Sequence, residues 1–205
     1  MDTGKRINAV HQEPYSFGHI GGSASGAIVR QGESGATRVE MDILVDAIAI
    51  VANWRRRSPF RCLAFRKELD RIETYQLQVW PAELSYHCSN ERNNMIDSYN
   101  APTDEYVSGN ERRKLALSQL LPEPLAARLA FPLNLSIWGR PSDGYRITGA
   151  SLDGSNIVVH LQHQADSDVK GSMTVDTQKR LVTRFDTPTE VCWYGNIEPG
   201  ASHPT

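Results

Sequence analysis

The chain has 205 residues, 40% of them hydrophobic and 22% charged, with a formal net charge of −2. That length suits one domain with its own core, and the near-neutral balance excludes a global field that would draw in nucleic acid or an anionic membrane. Cys62, Cys88 and Cys192 are odd in number, widely spaced and in no CxxC pair, which speaks against a disulfide framework and the common zinc spacings.

The first residues, MDTGKRINAVHQEPYSFGHIGG, contain no apolar leader, which predicts a cytoplasmic protein. The longest apolar run, ILVDAIAIVA, is too short for a bilayer and contains Asp46, so no stable membrane insertion is expected. Residues 1–38 are rich in Gly, Ser, Gln and His and read as a flexible arm with one short strand at 27–30. Within it GGSASG lacks the Lys-Ser/Thr of a P-loop, and Ala24 stands where a nucleophile elbow has serine.

Val39 to Trp54 is predicted as a helix, with Leu44, Ile48, Val51 and Trp54 near one face. Its apolar arc is so wide that burial on both sides is expected. Strands follow at 60–65, 71–80, 83–88 and 95–99. In the second, Tyr75, Leu77 and Val79 alternate with Thr74, Gln76 and Gln78, the half-buried pattern. From Asn110 to about Leu129 the pattern turns helical, broken at Pro122. The basic runs Arg55–Arg57 and Arg112–Lys114 read as solvated helix ends. The segment FPLNLSIWGRPSDG is an apolar irregular loop, expected across a cavity mouth or at a contact with a partner subunit or a second copy, chiefly through 131–138.

The last third, 144–197, reads as five antiparallel strands separated by turn residues such as Asp153-Gly154. The expected inward positions are Tyr145 and Ile147; Ile157, Val159, Leu161 and His163; Met173 and Val175; Leu181, Thr183 and Phe185; Val191, Trp193 and Ile197. The fold class is thus α+β: a curved antiparallel sheet, an incomplete barrel of about nine strands, wrapped around a buried helix and a helical insertion. Its domain runs over 39–197, after the 1–38 arm and before a frayed tail at 198–205.

This order of elements, with the stretch MTVDTQKRLVTRFDT at 173–187, resembles the lipoprotein-carrier fold of the LolA/LolB type over roughly residues 40–197. The resemblance implies an incomplete barrel with an apolar binding hollow. The chain departs from that family in showing no export signal or lipobox cysteine, so the ferrying of lipoproteins does not follow.

Candidate site residues come from the inward faces. Glu73 shares a face with Tyr75; a carboxyl among apolar neighbours has its charged form disfavoured, which suits proton transfer, while a solvated strand end is the plainer alternative. His163 is a rim histidine or a general base. His160 and His163 fall on opposite strand faces and cannot share an ion, and no metal or cofactor is expected. A pocket lined by Tyr75, Leu77, Tyr86, Trp138, Tyr145, Phe185 and Trp193 would be mainly apolar with a few placed hydroxyls. Cys88, beside Leu84 and Tyr86, reads as a small buried hydrophobe. Two functions follow: binding of an apolar or lipid-like small molecule in the hollow of the sheet, or a cofactor-independent cyclase or isomerase in the same pocket, with Glu73, His163 or a tyrosine moving a proton.

Overall fold

The computed structural model describes residues 33–90, 92, 95–115 and 125–203. The chain divides into Met1–Gln31 and Gly32–Thr205, and the described residues belong to the second unit. The strand expected at 27–30 and the GGSASG stretch lie outside them, as does the 116–124 part of the helical stretch expected from Asn110 to about Leu129.

In chain order the elements are α1 (Glu33–Ala52), a 3-10 turn (Trp54–Arg56), β1 (Phe60–Glu68), β2 (Arg71–Trp80), β3 (Ser85–Asn90), β4 (Met95–Asn100), β5 (Glu105–Ser108), β6 (Glu111–Lys114), α2 (Leu125–Arg128), β7 (Tyr145–Asp153), β8 (Asn156–His163), β9 (Lys170–Asp176), β10 (Leu181–Asp186) and β11 (Glu190–Pro199). The strands form one antiparallel sheet ordered β6-β5-β4-β3-β2-β1-β11-β10-β9-β8-β7. Two meanders, β1 to β6 and β7 to β11, are joined where β1 pairs with β11. Edges β6 and β7 do not pair with each other, so the sheet is open.

The expected open antiparallel sheet is present, with eleven strands among the described residues rather than about nine; the helix expected to be buried on both sides is not, since α1 buries Ala47, Ile50 and Val51 and leaves Val39, Met41, Val45 and Ile48 exposed. The extra pair corrects the helical reading of 110–114. Ser108 pairs with Glu111 across Gly109-Asn110, and Gly109 takes φ 57°, the backbone that a two-residue hairpin requires. All four β6 residues, Glu-Arg-Arg-Lys, are exposed. Charge on an edge strand blocks pairing with another chain, so these cations serve an edge and not a helix end.

One face of the sheet is filled. α1 packs against β7, β8 and β10, and α2 against β1 and β11. Between them the 131–138 segment turns its apolar side chains inward: Phe131, Leu135 and Ile137 are buried, each contributing about 1.5–3 kcal/mol by leaving water. Phe131 meets Trp54 edge-on at 5.2 Å and Tyr86 at 5.6 Å. Tyr194 on β11 donates to the Ala126 carbonyl at 2.7 Å, tying α2 to the sheet. Buried Asp143 holds the loop's end by accepting from the Trp138 and Arg140 amides at 2.7 and 3.0 Å and from Arg140 Nε at 3.0 Å. The expectation that this loop spans a cavity mouth or offers an apolar contact is corrected: it plugs the hollow. Leu133 is its one large hydrophobic side chain that stays exposed.

Three bulges decide which residues face inward. In β7 the register shifts between Ile147 and Gly149, so Ile147 and Ala150, three apart, both turn to the core. In β10 the shift between Val182 and Arg184 puts Val182 inward in place of Thr183. In β11 the pairing with β1 slips where Asn196 takes φ 50°. Ile197 therefore faces inward with Cys192 and Tyr194, which are buried. Val191 and Trp193, expected inward, point to the outer face. One extra residue reverses every side chain beyond it.

The tail is docked through His203 instead of frayed. The Gly200 amide donates to the Pro59 carbonyl at 2.8 Å, Trp80 Nε1 donates to the Ala201 carbonyl at 3.0 Å, and the His203 ring lies edge-on to Trp80 at 4.6 Å.

Candidate functional site

The sequence-derived candidates do not converge on one pocket. Leu77, Tyr86 and Phe185 are core residues with almost no exposed surface. Trp193 stacks on Phe65 on the outer face, 5.1 Å between centroids with planes 13° apart, and the Arg184 guanidinium lies over it at 5.9 Å. Trp138 is half-buried and donates through Nε1 to the Pro132 carbonyl at 2.9 Å. Tyr145 and His163 meet edge-on at 5.2 Å near the β7 edge, where His163 Nδ1 is buried without a partner among the described residues. His160 faces outward and shares a hydrogen bond of 2.9 Å with the Ser151 hydroxyl.

Glu73 and Tyr75 do share the inner face of β2, and the Tyr75 hydroxyl donates to Glu73 Oε2 at 2.6 Å. Burial, then that bond, push the Tyr75 hydroxyl above its ordinary value. Glu73 also pairs with Arg71 at 3.1 Å, and its cross-strand neighbour is Arg66, which binds Glu190 and, at 3.0 Å, Glu68. An open cleft of about 590 Å³ lies beside Arg66, Glu68 and Glu73. From β2 to β8 is five steps along the sheet, or about 24 Å at ~4.8 Å per strand. Glu73 and His163 therefore sit on different halves of the molecule.

A buried carboxylate that sequence reasoning missed lies further along the same half of the sheet. Asp97, 4% exposed, accepts from the Tyr86 hydroxyl and, at 2.8 Å, from the Tyr106 hydroxyl. Burial, then the adjacent Asp97, raise the Tyr86 hydroxyl far above its normal range. The signal was present in the alternation Asp97, Tyr99 along β4, but an aspartate at a core position is read as solvated unless its donors are known.

The cleft with the clearest ligand character lies where the C-terminal end of α1 meets β1 and β11. It encloses about 550 Å³ and its apolar wall is Ile50, Pro59, Phe60, Ile197 and Pro199. Arg56, Arg57, Lys179 and Arg180 stand around it, with Glu198 as the one acid among the described residues that line it. The chain reaches this arrangement because the helix ends at Ala52 and a 3-10 turn carries Arg55–Arg57 back over the sheet. Arg57 Nη1 and Nη2 donate to the Arg180 and Lys179 carbonyls, closing the β9–β10 turn, in which Arg180 holds φ 52°. Burial, despite Asp176 nearby, lowers the Arg57 guanidinium to about 10. Arg57 Nε is buried without a partner among the described residues. Lys179 is taken by Asp176 at 2.8 Å and Glu198 by Arg61 at 2.7 Å. Sequence reading placed Arg55–Arg57 in solvent because nothing in a linear pattern brings residue 57 to residue 180.

Among the described residues no group of three or more His, Cys, Asp or Glu could hold a metal ion, and no helix is long and apolar enough to cross a membrane. No family model and no curated protein matches the chain. Solved structures do. The crystal structure of MucB is 10% identical, with 78% of this chain and 60% of that one covered at a TM-score of 0.43. The Pseudomonas aeruginosa MucA/MucB complex gives 12% identity, 80% and 59% coverage and a TM-score of 0.44. An uncharacterized conserved protein from Thermus thermophilus gives 7% identity, 80% and 88% coverage and a TM-score of 0.41. The chain spans about 60% of the length of the MucB structures, and with TM-scores below 0.5 none of these pairs shares a close backbone.

Proposed function

We propose that this chain binds a small, partly apolar molecule in the cleft between the end of α1, β1 and β11. The observation that carries the reading is the cleft itself: about 550 Å³ with a wall of Ile50, Phe60 and Ile197, a volume within the range of small-molecule sites. The hollow of the sheet is a poor seat, since α1 and the 131–138 segment already fill it. The reading keeps the apolar ligand expected from the sequence and moves its place.

The alternative, a cofactor-independent cyclase or isomerase, draws support from one pair alone. Glu73 and Tyr75 are joined by a 2.6 Å bond at the edge of an open cleft, where a carboxylate and a phenol are able to pass a proton. His163 is too distant to act on the same atom.

Native mass spectrometry of protein purified from its own source, under gentle and then denaturing conditions, tests the binding reading. A co-purifying mass is expected, lost on denaturation and absent from an Ile197→Trp variant whose indole fills the cleft. A mass retained by that variant places the ligand elsewhere. Loss of turnover in Glu73→Gln with ligand binding kept would favour the enzyme.

A further inference from the structure

Resting on the reading of the α1–β1–β11 cleft as a ligand seat, we infer that its ligand is an amphiphile with an oxyanionic head, a carboxylate or phosphate. The head lies among Arg56, Arg57 and Arg180, and the apolar body lies against Ile50, Phe60 and Ile197.

Charge complementarity carries this. Among the described residues four cations and one acid border the cleft, although the whole chain is slightly negative, so the local excess is not a reflection of composition. Two of these charges cancel against partners: Lys179 is held by Asp176, and Glu198 by Arg61. Among the described residues neither Arg56 nor Arg180 has an acidic partner. Arg57 is bound through both terminal nitrogens to backbone carbonyls, and the nearby Asp176 offsets its charge only in part, being itself paired with Lys179. A half-buried guanidinium bordering the cleft is stabilised by an anion placed in that cleft through its charge.

The apolar wall is the second half of the argument. A free inorganic anion would gain nothing from Ile50, Phe60 and Ile197, and a neutral hydrocarbon would leave the three guanidinium groups as they are. Only a molecule with both parts uses the whole cleft. Burial of the apolar part would supply affinity roughly in proportion to area, and the head would set orientation.

Isothermal titration with three probes separates the parts: decanoate, 1-decanol and inorganic phosphate. The native chain is compared with an Arg56→Gln/Arg180→Gln variant, both positions being exposed. Arg57 is left intact because it closes the β9–β10 turn. The expected result is decanoate binding at least about tenfold tighter than decanol, weakening with added salt. In the double variant decanoate should fall to the level of decanol while decanol is unchanged. Equal binding of decanoate and decanol by the native chain overturns the anionic head and leaves the cleft reading standing. Phosphate binding as tightly as decanoate overturns the amphiphile and assigns the cations to a free anion. Binding of none of the three overturns this inference and the cleft reading together.

Discussion

The carboxylate of Asp97, held between two phenols inside the β3–β5 part of the sheet, gives a prediction with a magnitude. Tyr86→Phe removes one hydroxyl donor without emptying much volume, so the loss is a hydrogen bond to a charged acceptor, about 1.5–3 kcal/mol. Tyr106→Phe removes the other, at 2.8 Å, and should cost a similar amount. Because both phenols bind the same buried carboxylate, the two losses should be coupled, with the double variant departing from the sum by about 0.5–3 kcal/mol. Urea unfolding at neutral pH, fitted with a common m-value, reads all three. In thermal scans each single variant should melt lower by roughly 2–4 °C per kcal/mol lost. Single variants within about 0.5 kcal/mol of the native chain, with an additive double, would refute the reasoning and mean that the phenols are not what holds this carboxylate.

Other expectations test other parts of the fold. A Cβ added to Gly171 would lie 2.8 Å from the Asp186 carbonyl, so Gly171→Ala should destabilise by about 1–3 kcal/mol, read by urea unfolding. Tyr194→Phe deprives the buried Ala126 carbonyl of its donor and should cost about 1–3 kcal/mol, with faster hydrogen exchange around α2. Burial pushes the Cys62 and Cys192 thiols up to about 12 from an ordinary 9.0. Folded pKa values above the unfolded ones mean stability that is full below pH 9.0 and lost as pH rises towards 12. The unfolding free energy from urea titration should therefore fall above about pH 9, by up to ~1.4 kcal/mol per pH unit for each thiol. At about pH 8 all three cysteines should resist a thiol reagent until the chain is unfolded.

Much of the sheet was legible because alternation is a direct image of a half-buried strand. β2 runs over Arg71–Trp80 as expected, and the five C-terminal strands fall where turn residues separate alternating runs. What alternation does not carry is a bulge. Thr183 and Trp193 were assigned inward by counting in twos, and an extra residue in each strand reversed the count. β6 was missed for a different reason: Glu-Arg-Arg-Lys has no apolar member, so an edge strand with both faces in water has no period to detect, and the Gly109-Asn110 turn was the better guide. The Glu73–Tyr75 pair was readable because it is local, two residues apart on one strand. The cationic cleft was not, because Arg57 and Arg180 are brought together by the β1–β11 pairing and the end of α1, contacts that depend on the whole topology.

Amide hydrogen exchange of the full chain with and without decanoate tests the central claim, the place of the ligand, most directly. The account predicts added protection in peptides covering residues 49–60, 178–182 and 196–200, with the 125–138 segment unchanged. Protection centred on 125–138 and the inner strands, with none at 49–60, would contradict it and return the ligand to the hollow of the sheet.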